Sequence, residues 1–419
     1  MKKQILSMLM LAAAATTTNA QTVVTDSVML TTGYANQVWY SLENDEQGSA
    51  PKNNWDIAFD IVNVMSTIHI NSASGVMLWN YPNGDKSAWA SVDTNGLSTW
   101  DPRYNTDTSW AVGAMGRYAD PSNWLDMDWG TYDMSTHQIT GDSIYIIKLV
   151  NGDYKKLLIE KLSSGTFHFK FANLDGSSEK SEQVSKSQFV GKNLGYYSIS
   201  GETAINREPD MDKWDLVFTQ YTAFVPIPYT ITGVLQNRGV SVAKAANVPN
   251  KTSYNAWQAH SFMSEINTIG YDWKSHIGMG VYSVQDSLVF FVGVNKQAGA
   301  DIWKLIFTGF EAADGKFIFD KQKIAAASVS DVEGKSATMA LHPNPANGGN
   351  VQVVYNLTAN STTAMVRVTD LAGRTVLAQR LDNTAGTHTY MLPNHFSSGL
   401  YIVSVTTDAG TVQQKLVVN

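Results

Sequence analysis

Indoles set among carboxylates and amides are the side chains in this sequence best equipped for chemistry. Residues 80–128 carry Trp89, Trp100, Trp110 and Trp124 amid Asp, Asn, Ser, Gly and Pro, with poor periodicity. An exposed indole stacks on the apolar face of a sugar while neighbouring polar groups take its hydroxyls. The competing reading is that these rings pack a core and its rim. Asp120, Asp126, Asp128 and Asp133 could offer oxygens to calcium, but they do not follow the D-x-[DN]-x-[DN]-G spacing of a calcium loop. Cysteine is absent, which excludes disulfides, thiolate metal sites, a cysteine nucleophile and a lipid-modified N-terminal Cys. No G-x-S-x-G, H-E-x-x-H or P-loop pattern occurs, so binding is expected and catalysis is not. A net charge of −7 argues against a nucleic-acid partner, because phosphate neutralisation needs a basic face.

The elements that must hold these side chains occur twice. Asp128-Trp129 and Asp272-Trp273 lie 144 residues apart, as do Ser143 and Ser287. The offset is 149 at Tyr154/Trp303 and 150 at Gly165/Gly315, drifting only where turns are expected. Upstream, Trp55-Asp56-Ile57-Ala58-Phe59 is matched by Trp214-Asp215-Leu216-Val217-Phe218 at an offset of 159. Each of these is preceded by Tyr-Ser, at Tyr40-Ser41 and Tyr197-Ser198. A period near 150 far exceeds that of a solenoid and means two copies of a whole domain.

Each copy reads as strands. The Ile/Tyr/Val-rich run from Ser143 ends at Asn151-Gly152 and resumes at Asp153, which predicts a hairpin with a type I′ turn. Phe167, Phe169 and Phe171 alternate with His168 and Lys170, the pattern of a half-buried strand. Asn44 to Asn54 and Asp175 to Lys192 are polar and read as a loop and a solvated connector. Pro226 and Pro228 place their stretch at a sheet edge or in a loop.

The division expected is a signal peptide at 1–20, domain one at 21–175, a connector at 176–194, domain two at 195–324, a linker at 325–337 and a third β unit at 338–419. Lys2-Lys3, a short apolar core and Thr18-Asn19-Ala20 carry the signal reading; removal would leave a charge of −9. No stretch is long enough to span a bilayer. The fold class is all-β: two tandem, mostly antiparallel domains followed by a small β-sandwich.

The C-terminal unit resembles the sorting domain of the bacterial type IX secretion system. The likeness rests on Pro343-Asn344-Pro345, Asp370-Leu371-Ala372-Gly373-Arg374, Ser398-Gly399-Leu400-Tyr401 and Lys415-Leu416-Val417-Val418. It implies the type IX machinery as a partner, export across the outer membrane, removal of the tail, and release or attachment to lipopolysaccharide. The duplicated unit resembles the HmuY-like family of secreted haem-binding proteins. That likeness rests on the two Trp-Asp segments and on Val289-Phe290-Phe291 followed by Trp303-Lys304-Leu305. It implies a surface or secreted haem-binding protein, with haem or host haem proteins as partners. Characterised members are single-copy lipoproteins, from which this chain departs.

Haem iron takes a neutral imidazole or a thioether over an apolar slot. The resemblance puts one axial ligand at His276, thirteen residues before Val289. His260 or Met263 would be the other, and Met279 could stand in for His276. Trp257, Phe262, Tyr271 and Trp273 would suit a porphyrin face. The matching position in copy one is Tyr132, with Met134 and His137 near it. The alternatives are a surface adhesion or glycan-binding module using the Trp-rich loops, and a structural surface protein without ligand.

Overall fold

The structure is a computed structural model. It describes residues 22–62, 66–295, 300–324, 337–344, 346, 350–370, 374–393, 396–408 and 410–418. The signal segment 1–20 and most of the 325–337 linker lie outside them. The chain divides into two compact units, before and after Ala326. Its named strands all pair antiparallel, so the all-β expectation holds.

The first unit contains two lobes of identical design. Strands β1 (Val24–Met29), β2 (Asn36–Ser41), β3 (Asp45–Pro51), β4 (Ile57–Asp60), β5 (Ile68–Ile70) and β6 (Met77–Asn80) open the chain. After the Trp-rich loops come β7 (Gly130–Asp133), β8 (Gln138–Gly141), β9 (Ile144–Lys148), β10 (Tyr154–Ser163) and β11 (Thr166–Asn173). The second copy supplies β12 (Lys180–Ser185), β13 (Leu194–Ser198), β14 (Thr203–Ile205), β15 (Leu216–Phe224), β16 (Pro228–Gln236) and β17 (Val240–Ala245). It ends with β18 (Lys274–Gly278), β19 (Val281–Val284), β20 (Val289–Asn295), β21 (Ala300–Glu311) and β22 (Lys316–Ile324). In one lobe the large sheet runs β12-β11-β10-β9-β6 and the small sheet β14-β13-β4-β5. In the other they run β1-β22-β21-β20-β17 and β3-β2-β15-β16. The orders match strand for strand, and the hairpin β7–β8 matches β18–β19. The outward kinks match as well, since β10 is bulged between Ile159 and Lys161 and β21 between Phe307 and Gly309.

These pairings correct the expected division. The lobes are not contiguous halves 21–175 and 195–324. The leading arm of each copy closes the lobe built by the other: β1 pairs with β22 and β2 with β15, while β13 pairs with β4. Residues 176–194 are not a solvated spacer; they contain β12, an edge strand that turns only Val184 fully inward. Its polar composition is that of a sheet edge with a wet outer face. Asn44 to Asn54 likewise holds the edge strand β3. The Pro226/Pro228 expectation holds, because β16 begins at Pro228 on a sheet edge.

Each lobe buries its core between its two sheets. Phe167, Phe169 and Phe171 point inward as the alternation demands and meet Phe59, Tyr145 and Tyr197. Phe317, Phe319 and Phe307 meet Tyr40, Phe218 and Trp273 in the other. The hairpin at Asn151-Gly152 forms, but not with a type I′ turn, since only Gly152 has positive φ (93°). The Leu149 amide donates to Asp153 O and the Gly152 amide to Leu149 O, and Asn151 caps the loop through its side chain.

The second unit is a sandwich with its own core around Val353, Tyr355, Val366, Val403 and Leu416. One sheet orders β23 (Ala337–His342), β24 (Val351–Leu357) and β27 (Gly386–Leu392). The other runs β26 (Thr375–Arg380), β25 (Ala364–Asp370), β28 (Gly399–Thr407), β29 (Gly410–Val418). Both expected hairpins are present; Gly373, expected to shape the first, lies outside the described residues.

A candidate ligand cleft between the lobes

The Trp-Asp segments acquire distinct jobs in the fold. Asp56 is buried and accepts the amides of Ile199 (2.8 Å) and Val150 (3.0 Å). Asp215, equally buried, accepts the amide of Leu42 (2.7 Å). Ile199 and Leu42 follow the Tyr-Ser pairs, so each carboxylate ties down the arm donated by the other copy. Asn71 donates to the carbonyls of Lys52 (2.8 Å) and Trp55 (2.9 Å), and Asn237 to those of Met211 (2.7 Å) and Trp214 (2.8 Å). These paired clamps turn Trp55 and Trp214 toward the boundary between the lobes.

There they line one cleft of about 110 Å³, together with Trp39, Trp110, Tyr196 and Tyr221. A contiguous compartment of about 80 Å³ shares Trp110, Tyr221 and His69. Trp39 and Tyr196 directly precede the Tyr-Ser pairs, so the two copies contribute equivalent rings from equivalent places. The indole N–H of Trp214 is buried and has no hydrogen-bond partner among the described residues, and neither does that of Trp55. An orphaned buried donor costs about 1–3 kcal/mol.

The walls are held by polar contacts across the boundary. Arg238 of one lobe pairs with the fully buried Asp60 of the other (2.9 Å) and donates to Trp110 O (2.9 Å). Asn193 donates to Asn237 (2.7 Å), and the Trp110 indole donates to Gln236 O (2.8 Å). Glu208 on the cleft wall accepts the amides of Asn193 and Leu194 and the Tyr196 hydroxyl (2.9 Å). Burial nevertheless pushes its carboxyl up to about 7, the hydrogen bonds pulling the other way. Burial lowers His69 to about 4, against the raising influence of Asp60, so the imidazole is neutral where its Nε2 meets Trp110 O (3.0 Å).

The other candidate residues are placed as follows. Trp89 is buried, donates to Glu179 (2.8 Å) and lies under Lys156 and Lys170. Trp100 packs on Tyr81, while Trp124 is 62% exposed. The Trp-rich loops therefore send one indole, Trp110, into the cleft and do not form a single surface. Asp120 and Asp133 cap turns at Ser122 and Ser135, Asp126 accepts the Asp120 amide, and Asp128 pairs with Arg103. No cluster able to hold a metal ion occurs among the described residues. His276 and Met279 sit exposed on the β18–β19 hairpin, where His276 packs on Tyr282. His260 bonds the Tyr254 hydroxyl (2.7 Å) and stacks on Phe291; Met263 is half exposed. None of the four borders the cleft.

Trp39, Tyr196 and Glu208 are cleft residues that sequence reasoning misses. The first two carry a signal, namely an aromatic residue in the same place before both Tyr-Ser pairs; Glu208 has no counterpart in the other copy.

Residues 340–419 match the family described as the secretion system C-terminal sorting domain. The chain carries a type IX export tail. That tail directs it to the cell surface or beyond. No helix among the described residues is long and apolar enough to cross a membrane. No curated protein matches the chain. One similar solved structure is PorZ, described as an essential bacterial surface component of the type-IX secretion system of Porphyromonas gingivalis. It shows 13% identity over 69% of this chain and 44% of that one, with a TM-score of 0.16. Dimeric latent PorU from the same organism shows 9% identity over 91% and 33%, at 0.17. The BSP domain of a biofilm associated protein shows 10% over 95% and 81%, at 0.16. The chain spans less than half the length of PorZ, and at these TM-scores no shared fold follows.

Proposed function

We propose that this exported protein is a non-catalytic binding protein whose inter-lobe cleft takes a sugar unit. The observation that carries the reading is a single cleft walled by four indoles, those of Trp39, Trp55, Trp110 and Trp214. Sugars match such a site because their C–H faces stack on indoles. The cleft suits a terminal or single unit. Glycan-array binding by the mature chain tests it. Binding should be lost on Trp110→Ala and reduced on Trp214→Phe, which keeps a ring and removes the donor; a blank array overturns the reading.

A second reading keeps haem as ligand. It is supported by the exposure of His276 and Met279 together on one hairpin tip, open to an incoming porphyrin. Hemin titration separates the two: a Soret shift abolished by the His276→Ala, Met279→Ala pair and indifferent to Trp214→Phe would favour haem. The absence of any shift disposes of it.

A further inference from the structure

The two copies match so closely around the cleft that their differences stand out. The loops leading into the Trp-Asp segments occupy equivalent places, clamped by Asn71 and Asn237. In one loop the clamped residue is Met211; in the other it is Lys52. Lys52, directly after β3, lines the cleft and donates to the amide oxygen of Gln220 on β15 of the same sheet. Its backbone is fixed on three sides, by Ala35 O accepting its amide (2.9 Å) and by Asn71 and Ser74 donating to its carbonyl (2.8 and 3.2 Å). Among the described residues no carboxylate pairs with its ammonium group. Partial burial lowers its pKa, as expected for a cation short of countercharge. Of the acids, Glu208 also lines the cleft, but its oxygens are held by Asn193, Leu194 and Tyr196.

A positioned, half-desolvated ammonium beside indole faces is a receptor for an oxyanion on an otherwise sugar-like ligand. Charge-assisted hydrogen bonds are about twice as strong as neutral ones. We propose that the cleft selects a saccharide bearing an anionic group, a carboxylate or a sulfate, and that Lys52 is the residue that binds that group. The proposal rests on the sugar reading of the cleft. It adds the charge of the ligand and the end of the cleft at which the charge lies.

The test uses the mature chain with its tail, followed by tryptophan fluorescence and calorimetry. The probes are glucuronate and galacturonate oligosaccharides, a sulfated glucosamine oligosaccharide, and the neutral glucose and galactose counterparts. Acidic probes should bind about tenfold more tightly than neutral ones, with a preference that weakens as salt rises. Lys52→Met, which copies the side chain at the equivalent place in the second copy, should bring acidic binding down to the level of the neutral probes on the same variant and abolish its salt dependence. Trp214→Phe should weaken both classes alike. A carboxylate preference over sulfate identifies a sugar acid, and the reverse a sulfated glycan. Equal binding of neutral and acidic probes, or Lys52→Met without effect on acidic ones, overturns the proposal and leaves the sugar reading standing. Binding of no probe at all overturns both.

Discussion

At the residue scale, two buried carboxylates and one buried imidazole govern stability, and each behaves according to its partners. Asp56 holds the amides of Ile199 and Val150; Asp56→Ala strands both donors in the interior. A loss of about 2–4 kcal/mol is expected, read as a lower denaturation midpoint with an unchanged slope. The cleft supplies a test in pH. Glu208 is at about 7 in the folded chain against 4.5 as the ordinary value, so the folded state keeps a proton that the unfolded chain releases. Its contribution is complete below about pH 4.5 and is lost as pH rises through 7, a change of up to about 3 kcal/mol. His69, lowered to about 4 from 6.5, acts oppositely: its contribution is present above about pH 6.5 and is lost as pH falls through 4. The two slopes oppose each other between about pH 4.5 and 6.5. Melting curves over that window should therefore be nearly level for the native chain, rise with pH in Glu208→Gln and fall with pH in His69→Gln. Parallel curves for all three proteins would disprove this account.

At the scale of elements, the exchanged arms are the organising device. Because β1 lies against β22, with Val24 opposite Lys321, the start of the double-lobe unit and its end at Ile324 are neighbours. The turn between β11 and β12, at Asp175 and Gly176, is the equivalent junction in the other copy, with Asp175 exposed and Gly176 half-buried. A circular permutant of residues 22–324, joined end to end and reopened at Gly176, should fold with the same circular dichroism and melt within a few degrees of the parent. Circular permutation succeeds at exposed turns whose opening breaks few contacts. Failure to fold would show that the two junctions are not equivalent. The buried Arg238–Asp60 pair fastens one lobe to the other. Arg238→Met should cost about 3–5 kcal/mol, because it removes a hydrogen-bonded cation from beside the buried Asp60, and Asp60→Asn in the same chain should restore part of that loss.

At the scale of the molecule, each compact unit has a core made wholly of its own residues. Cleavage between Ile324 and Ala337 should therefore leave the melting transition of residues 22–324 unchanged in scanning calorimetry; a shift of more than a few degrees would show that the units support each other. The export tail was legible before any coordinates, because its motifs are local and dense. So were the β class and the duplication, since alternating Phe residues and paired Trp-Asp segments record which face of each strand is dry. The polar stretches 44–54 and 176–194 misled for a physical reason: an edge strand with one wet face has the composition of a loop. What the amino-acid order determined alone was two sets of strands, their inward faces and the place the product is sent. Only the tertiary structure decided which copy each arm would close. Both copies present the same backbone edges and the same capping carboxylate, so pairing within a copy and pairing across copies look alike in sequence. Contacts made only after both lobes exist, such as Asn193 with Asn237 and Arg238 with Asp60, separate the alternatives, and that choice is what brings Trp39, Trp55, Trp110 and Trp214 around one cleft.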